Sequence, residues 1–218
     1  MKIKLPCPGC GAPAEFVSWT SLNATLDPHE KTRLLDRSLT QFKCSACGHE
    51  AQVIYPLLYH DMDNGIMIWL LPPSAAEAKE PEALPADVAR QLGERYRYRA
   101  VSHLNELIEK IQIFDAGLDD RVVELAKLVA AAKLPPEKIG ASEVFFGSMA
   151  GEGASATMHF AVLLPPPGVN FGFSLLRDPV CSALTADFAE ALKEQPADPW
   201  PRVDDAFARG IVKKKGDE

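Results

Sequence analysis

Two Cys-x-x-Cys-Gly motifs, at residues 7–11 and 44–48, constrain this chain more than any other feature. A Cys-x-x-Cys turn places two sulfurs on one side of a metal ion, and the glycine after it lets the backbone fold over them. Zinc prefers four ligands at about 2.3 Å in a tetrahedron. The motifs therefore predict one Zn²⁺ site whose ligands are Cys7, Cys10, Cys44 and Cys47.

The predicted role of this metal is structural, because four thiolates leave no coordination position for a substrate or a water molecule. Redox chemistry of the thioredoxin type would need one active pair and would not explain a second pair followed by the same glycine. The alternatives that stay open are another metal and His49, which could replace a thiolate or hydrogen-bond to one.

Composition predicts a globular protein with one large or two modest domains, since 47% of the 218 residues are hydrophobic. No run approaches the roughly 18 to 20 apolar residues that span a bilayer, and the N-terminus lacks an apolar signal segment. No membrane association is expected. Because reduced thiols are favoured in the cytoplasm, we expect a cytoplasmic location.

The charge balance disfavours nucleic acid as a partner. The formal net charge is −7, from 23 basic and 30 acidic residues, and nucleic-acid binding normally requires clustered Lys and Arg. One basic stretch, Arg-Tyr-Arg-Tyr-Arg at residues 95–99, is a candidate patch, although we favour its interpretation as a solvated helix face or a strand edge.

Patterns in residues 1–72 predict a ribbon-like β module with a helical insertion. Residues 14–19 have strand composition, and Asp27, Pro28 and Glu30 indicate a helix start with a capping box. A strand at residues 52–60 is predicted to pair with one at 66–71, across a turn containing Asn-Gly.

These residues resemble the CpXC domain, a family named for its paired Cys-Pro-x-Cys motifs. The resemblance rests on the Cys-Pro-Gly-Cys motif near the N-terminus, the helix that begins at Asp27-Pro28, the second motif and the hairpin after it. It covers residues 1–132 and departs from the pattern at Ser45, where the family carries proline. The resemblance implies a zinc-ribbon-like fold and a bound metal, without implying an activity.

The rest of the chain is predicted to contain a linker, a second module and a tail. Prolines mark residues 73–86 as an extended linker, and residues 87–195 form the second module. Helical stripes run through Val88, Leu92 and Tyr96, through residues 101–111, and through a helix capped by Asp119 or Asp120.

A three-stranded antiparallel sheet is predicted next, from residues 143–149, 157–164 and 169–176, with a covering helix at 185–194 that turns Phe188 and Leu192 inward. Residues 196–218 are predicted to be a loose tail. The overall fold class is α+β.

Function follows less directly from the sequence. We expect a binding or assembly module for a protein partner or for self-association, with either the strand surface around Tyr55 and Tyr59 or the stretch at residues 95–99 as the contact surface. One alternative is a nucleic-acid-binding ribbon. Another is an enzyme whose pocket, lined by His60, Asp61 and His159, lies between modules. No catalytic motif is found, and Cys181 is predicted to be an inert buried thiol.

Overall fold

Each cysteine motif lies at the tip of its own antiparallel hairpin in the computed structural model of the protein. β1 (Lys2–Pro6) pairs with β2 (Pro13–Val17), and β4 (Gln41–Lys43) pairs with β5 (Glu50–Gln52). Side chains alternate along β2, so that Ala14 and Phe16 are buried while Glu15 is exposed. This alternation is what a strand with one covered face requires.

The structure describes residues 1–74, 92–93, 96–134, 142–166, 168, 170–194 and 198–216. The fold is mixed α+β, as predicted. The chain divides into two compact units, Met1–Ile108 and Glu109–Glu218. Most of the predicted linker and Val88 lie outside the described residues.

A four-stranded mixed sheet completes the first unit. Its strands, in spatial order, are β3 (Ser21–Asn23), β6 (Leu57–Asp61), β7 (Ile66–Leu70) and β8 (Arg97–Val101). β6 and β7 form an antiparallel hairpin, whereas β3 and β8 run parallel to their neighbours. Leu22, Tyr59 and Ile68 are fully buried in this unit.

The predicted pairing of residues 52–60 with 66–71 is correct only in part. The first segment is two strands: β5 belongs to the second cysteine hairpin, and β6 pairs with β7. Pro56 lies between them, and proline cannot donate a ladder hydrogen bond. The Asn-Gly turn is confirmed, with Asp61 facing Ile66 across it.

Helix α1 (Pro28–Leu35) begins where the sequence predicts, but the capping box does not form. Asp27 occupies the N-cap position without a side-chain hydrogen bond, and Glu30 instead accepts from Arg33 at 2.8 Å. Pro28 at the first position accounts for the start, because its fixed φ suits a helix and its missing N–H would have had no intrahelical partner.

The helical stripe predicted through Val88, Leu92 and Tyr96 does not extend to Tyr96, and the one predicted through residues 101–111 is confirmed from Leu104 onward but wrong at Val101. Residues Arg97–Val101 form β8, which pairs with β7 in parallel register, and α2 (Leu104–Asp115) begins three residues later. A short strand directly before a helix can share the helical spacing of apolar residues, so periodicity alone does not separate the two.

The sheet predicted for the second unit is confirmed. β9 (Glu143–Ala150), β10 (Thr157–Leu163) and β11 (Phe171–Leu176) form an antiparallel sheet in the order β11-β10-β9. Met158, Phe160 and Val162 are buried on its covered face. Helix α3 (Asp120–Ala131) packs on β9 and is capped by Asp119, which accepts from the Arg121 N–H at 2.9 Å.

The C-terminal prediction needs two corrections. The covering helix begins earlier, as α4 (Arg177–Asp187), and is followed by a short α5 (Ala189–Lys193). Phe188, between them, is half-buried, as is Leu192. The tail is not loose where it is described: α6 (Asp205–Gly216) packs on α3 and buries Ala208 and Ile211. Its apolar side chains supply the burial that orders it.

Charged side chains are buried where α2, α3 and β9 meet. We call them the buried ion cluster, which consists of Glu109, Lys110, Asp120 and Glu124, together with the partly buried Lys127. The Lys110 ammonium lies 2.8 Å from Glu124 and 3.4 Å from Asp120. Burial disfavours the charged amine, but these carboxylates outweigh that effect and raise the pKa of Lys110. Lys110 is therefore a charged, carboxylate-paired part of the core.

Candidate metal centre

The two cysteine motifs fold into the same backbone turn. In the first, the Cys7 N–H donates to the Ala12 carbonyl at 2.9 Å, and the Gly11 N–H donates to the Cys7 carbonyl at 2.8 Å. The second motif repeats this pattern: the Cys44 N–H donates to the His49 carbonyl, and the Gly48 N–H donates to the Cys44 carbonyl. Gly11 and Gly48 have φ of +73° and +74°, a conformation that glycine adopts without steric cost.

These turns bring the four predicted ligands together, and all four sulfurs lie within 4.8 Å of one another. The Cys7 and Cys47 sulfurs are 3.7 Å apart, and those of Cys10 and Cys44 are 3.8 Å apart. Four sulfurs at about 2.3 Å from a central ion in a tetrahedron are separated by about 3.8 Å. The sulfur positions therefore fit a tetrahedral metal ion.

The cysteine cluster is anchored on one side and open on the other. Cys7 and Cys44 are 3% and 2% exposed and pack with Ala14, Phe16 and Phe42, whereas Cys10 and Cys47 are exposed. The first cysteine of each motif thus belongs to the small core that the two hairpins share. The second cysteine closes the site at the surface.

Neighbouring groups make the four thiols unequal. Backbone N–H groups of Cys47 and Ala46 favour the Cys44 thiolate and lower its pKa to about 7. The His49 N–H favours the Cys47 thiolate too, but hydrogen bonding with Cys10 and the other thiols opposes it and raises the pKa of Cys47 to about 12. A divalent cation would offset the repulsion among the thiolates.

His49 does not join this group of ligand atoms among the described residues. Its ring lies instead against Gly9 of the other motif, where a Cβ added to Gly9 would come within 3.2 Å of the imidazole Cγ. Sequence reasoning missed this contact. The only sequence signal for it is the glycine in the Cys-Pro-Gly-Cys motif. The reason for a small residue there appears only once the positions of both hairpins are known.

The predicted tyrosine surface is wrong. Tyr59 is 1% exposed and donates from its hydroxyl to the Asp61 carboxylate at 3.2 Å. Tyr55 is half-buried, with its ring edge-on to Phe16 at a centroid distance of 5.8 Å. Both side chains support the inside of the first unit, so they do not form an exposed contact surface.

Asp61 has a structural role in the β6–β7 turn. It accepts from the Asn64 N–H at 3.0 Å and from the Lys31 ammonium at 3.2 Å. Burial would raise the pKa of Asp61, but hydrogen bonds from Asn64 and the Lys31 charge hold it below its ordinary value. Its carboxylate is committed to internal partners.

The basic stretch does not form an exposed patch in its described part. Arg99 is 7% exposed and donates to the Tyr98 carbonyl at 2.8 Å, while Arg97 and Tyr98 are half-buried. Tyr96 is buried, with its hydroxyl 3.0 Å from the His60 imidazole. Arg95 lies outside the described residues.

The remaining candidates belong to the second unit. The His159 imidazole lies 2.6 Å from the Ser174 hydroxyl, within the β sheet. Cys181 is half-buried rather than fully buried, and its thiol lies 3.8 Å from the Met158 sulfur. Burial raises the pKa of the Cys181 thiol, which suits the predicted inert role.

The model of the CpXC protein family matches residues 5–127. The chain belongs to this family. The CpXC match includes both cysteine motifs and ends within α3, so it confirms the resemblance inferred from the sequence. Ser45, which replaces the proline of the second CpXC motif, leaves the turn intact. No curated protein and no solved structure matches the chain significantly.

No helix in the described part of the chain is long and apolar enough to cross a bilayer.

Proposed function

We propose that Cys7, Cys10, Cys44 and Cys47 bind one structural Zn²⁺ ion, and that the zinc-stabilised protein binds a protein partner or assembles with itself. The separations of 3.7 and 3.8 Å between sulfurs of different hairpins carry the first part of this proposal. Each of these pairs joins one hairpin to the other, so a shared ion would tie together segments distant in the chain.

The ligand set supports zinc and a structural role. Soft thiolates in a tetrahedron suit Zn²⁺ or iron–sulfur chemistry rather than magnesium or calcium. A single ion with four protein sulfurs has no site for a substrate. Such a set is also most stable where thiols stay reduced, and we propose the cytoplasm as its location.

The partner role is supported by charge and by the absence of an exposed arginine stripe among the described residues 96–99. A net charge of −7 opposes approach to a phosphate backbone. A protein partner is compatible with this charge. Nucleic-acid binding would instead require retention of the full-length chain on heparin that weakens as salt rises.

Metal analysis of the full-length protein tests the zinc site. We expect one Zn²⁺ per chain and, after exchange with Co²⁺, the thiolate-to-metal charge-transfer absorption of a tetrathiolate centre. Cys44→Ser should lose tight metal binding, whereas the control Cys181→Ser should keep it. Unchanged metal content in Cys44→Ser, or an equal loss in both variants, would contradict the proposal.

A further inference from the structure

β11 is an edge strand whose outer side has the features of a surface for pairing with a further strand. Among the residues that the structure describes, β11 has one strand neighbour, β10. An edge strand presents backbone N–H and C=O groups that can pair with another strand, and proteins commonly block such edges with charges, prolines or bulges. β11 has the sequence Phe-Gly-Phe-Ser-Leu-Leu, which contains neither charge nor proline, and its pairing with β10 is regular.

The hydrogen-bond pattern identifies which backbone groups face outward. The Arg177 N–H donates to the Ala156 carbonyl at 2.8 Å, one position beyond the pair of Leu176 with Thr157. Antiparallel residue pairs alternate between bonded and non-bonded. Counting from Arg177, the odd-numbered residues of β11 bond to β10. Gly172, Ser174 and Leu176 therefore direct their backbone groups away from the sheet.

All three outward-facing residues are exposed, and Leu176 retains 50% of its accessible surface. The opposite edge is closed at its centre. The Phe146 N–H of β9 donates to the buried Glu109 carboxylate at 2.6 Å, and α3 packs against the same strand. The sheet is therefore blocked at β9, while β11 offers a run of exposed backbone.

We propose that two copies of this chain associate by antiparallel pairing of their β11 strands, giving a continuous six-stranded sheet. In a pairing centred on Ser174, the two Ser174 residues face each other, and Leu176 of one copy faces Gly172 of the other. Phe173 then lies opposite Leu175 of the second copy. This register places an aromatic and an aliphatic side chain together and leaves space beside Gly172 for the exposed leucine.

A second copy is the occupant for which the uncharged β11 sequence is self-complementary. The protein's net charge of −7 opposes close approach of two copies in general. At β11 no charged side chain meets its counterpart, and the flanking Arg177 and Asp178 compensate each other at 2.6 Å. A two-fold axis through the Ser174 pair makes the contact self-complementary and closed. The inference specifies the assembly role proposed above, on which it rests, but does not require the metal.

Sedimentation of the full-length, zinc-loaded protein across a concentration series tests this pairing. We expect a reversible monomer–dimer equilibrium that Ser174→Lys abolishes, because it places two like charges opposite each other. Ser148→Lys on β9, an exposed serine of the same sheet, is the matched control and should dimerise normally. Far-UV circular dichroism and zinc content verify that each variant is folded.

A charge-swap experiment makes the register itself testable. Ser174→Lys and Ser174→Glu should each be monomeric alone, and an equimolar mixture should form heterodimers because the opposite charges then face each other. A wild-type monomer at every concentration, undiminished dimerisation of Ser174→Lys, or no recovery in the mixture would overturn the proposal. Metal content is measured on the same samples, so a protein that binds Zn²⁺ but stays monomeric refutes the pairing and leaves the metal site standing.

Discussion

Single residues explain why the two cysteine turns are alike but not identical. Position 9 of the first turn is glycine, and the equivalent position of the second is Ala46. At the first turn the His49 ring covers Gly9, and a Cβ there would lie 3.2 Å from the ring carbon. The first turn therefore carries a steric constraint imposed by the second.

Gly9→Ala should destabilise the metal-bound protein by less than about 1 kcal/mol, because the added Cβ displaces the exposed His49 ring by only a few tenths of an ångström. In a His49→Ala background the same change should be nearly neutral. Thermal unfolding of the four members of this double-mutant cycle measures the coupling. Equal costs of Gly9→Ala in both backgrounds would show that the ring does not cause the constraint.

The convergence of the four cysteines could be predicted from the sequence because Cys-x-x-Cys spacing encodes a local turn. The contact between Gly9 and His49 could not, since it joins residues of two hairpins whose relative placement is set by the fold. The prediction that Tyr59 and Arg99 lie on an exposed surface was wrong for a related reason. Their residue types are typical of surfaces, and only the sheet shows that both side chains are buried.

At the scale of whole elements, local signals predicted the second unit better than the first. The sheet of β9, β10 and β11 pairs strands that follow one another in the chain, so alternation was sufficient. β3 and β8 each pair in parallel with a strand distant in sequence, and β3 is only three residues long. Short strands of this kind have little periodicity to detect.

The buried ion cluster was also missed, because Lys110 and Lys127 look like surface residues in a helical sequence. Helices α2 and α3 place both ammonium groups next to the buried carboxylates of the same cluster. Such a cluster is costly to break, since removing one partner leaves uncompensated charge away from water. The stability of the packing between α2 and α3 thus depends on both partners of each ion pair.

Lys110→Met should lower the free energy of unfolding by about 3 to 5 kcal/mol, because Asp120 and Glu124 lose their cation. Lys193→Ala removes an ammonium at the same 2.8 Å from its carboxylate, that of Glu190, but this pair is exposed. It should change stability by less than about 0.5 kcal/mol. Urea denaturation monitored by circular dichroism compares the two, and similar effects would rule out a special contribution from burial.

On the scale of the whole molecule, the proposed metal site lies entirely within Met1–Ile108. Loss of the metal ion should therefore destabilise this unit first. Chelation of Zn²⁺ should raise amide exchange at Cys7 and Cys44 by about tenfold or more, because structural zinc supplies much of the stability of small metal-dependent folds. Phe160 and Val162 in β10 should keep their protection. Hydrogen exchange read by mass spectrometry provides the measurement, and equal deprotection of both regions would contradict a local role for the ion.

The order of the strands in the first unit has a practical consequence for anyone dissecting this protein. β3 lies between the two cysteine hairpins in the chain, yet its spatial neighbour is β6, which follows the second hairpin. A peptide truncated after residue 52 would retain the four clustered cysteines but would leave Leu22 without β6, the strand beside it. The smallest fragment worth expressing therefore extends through β8, and a shorter zinc-binding peptide should be expected to aggregate.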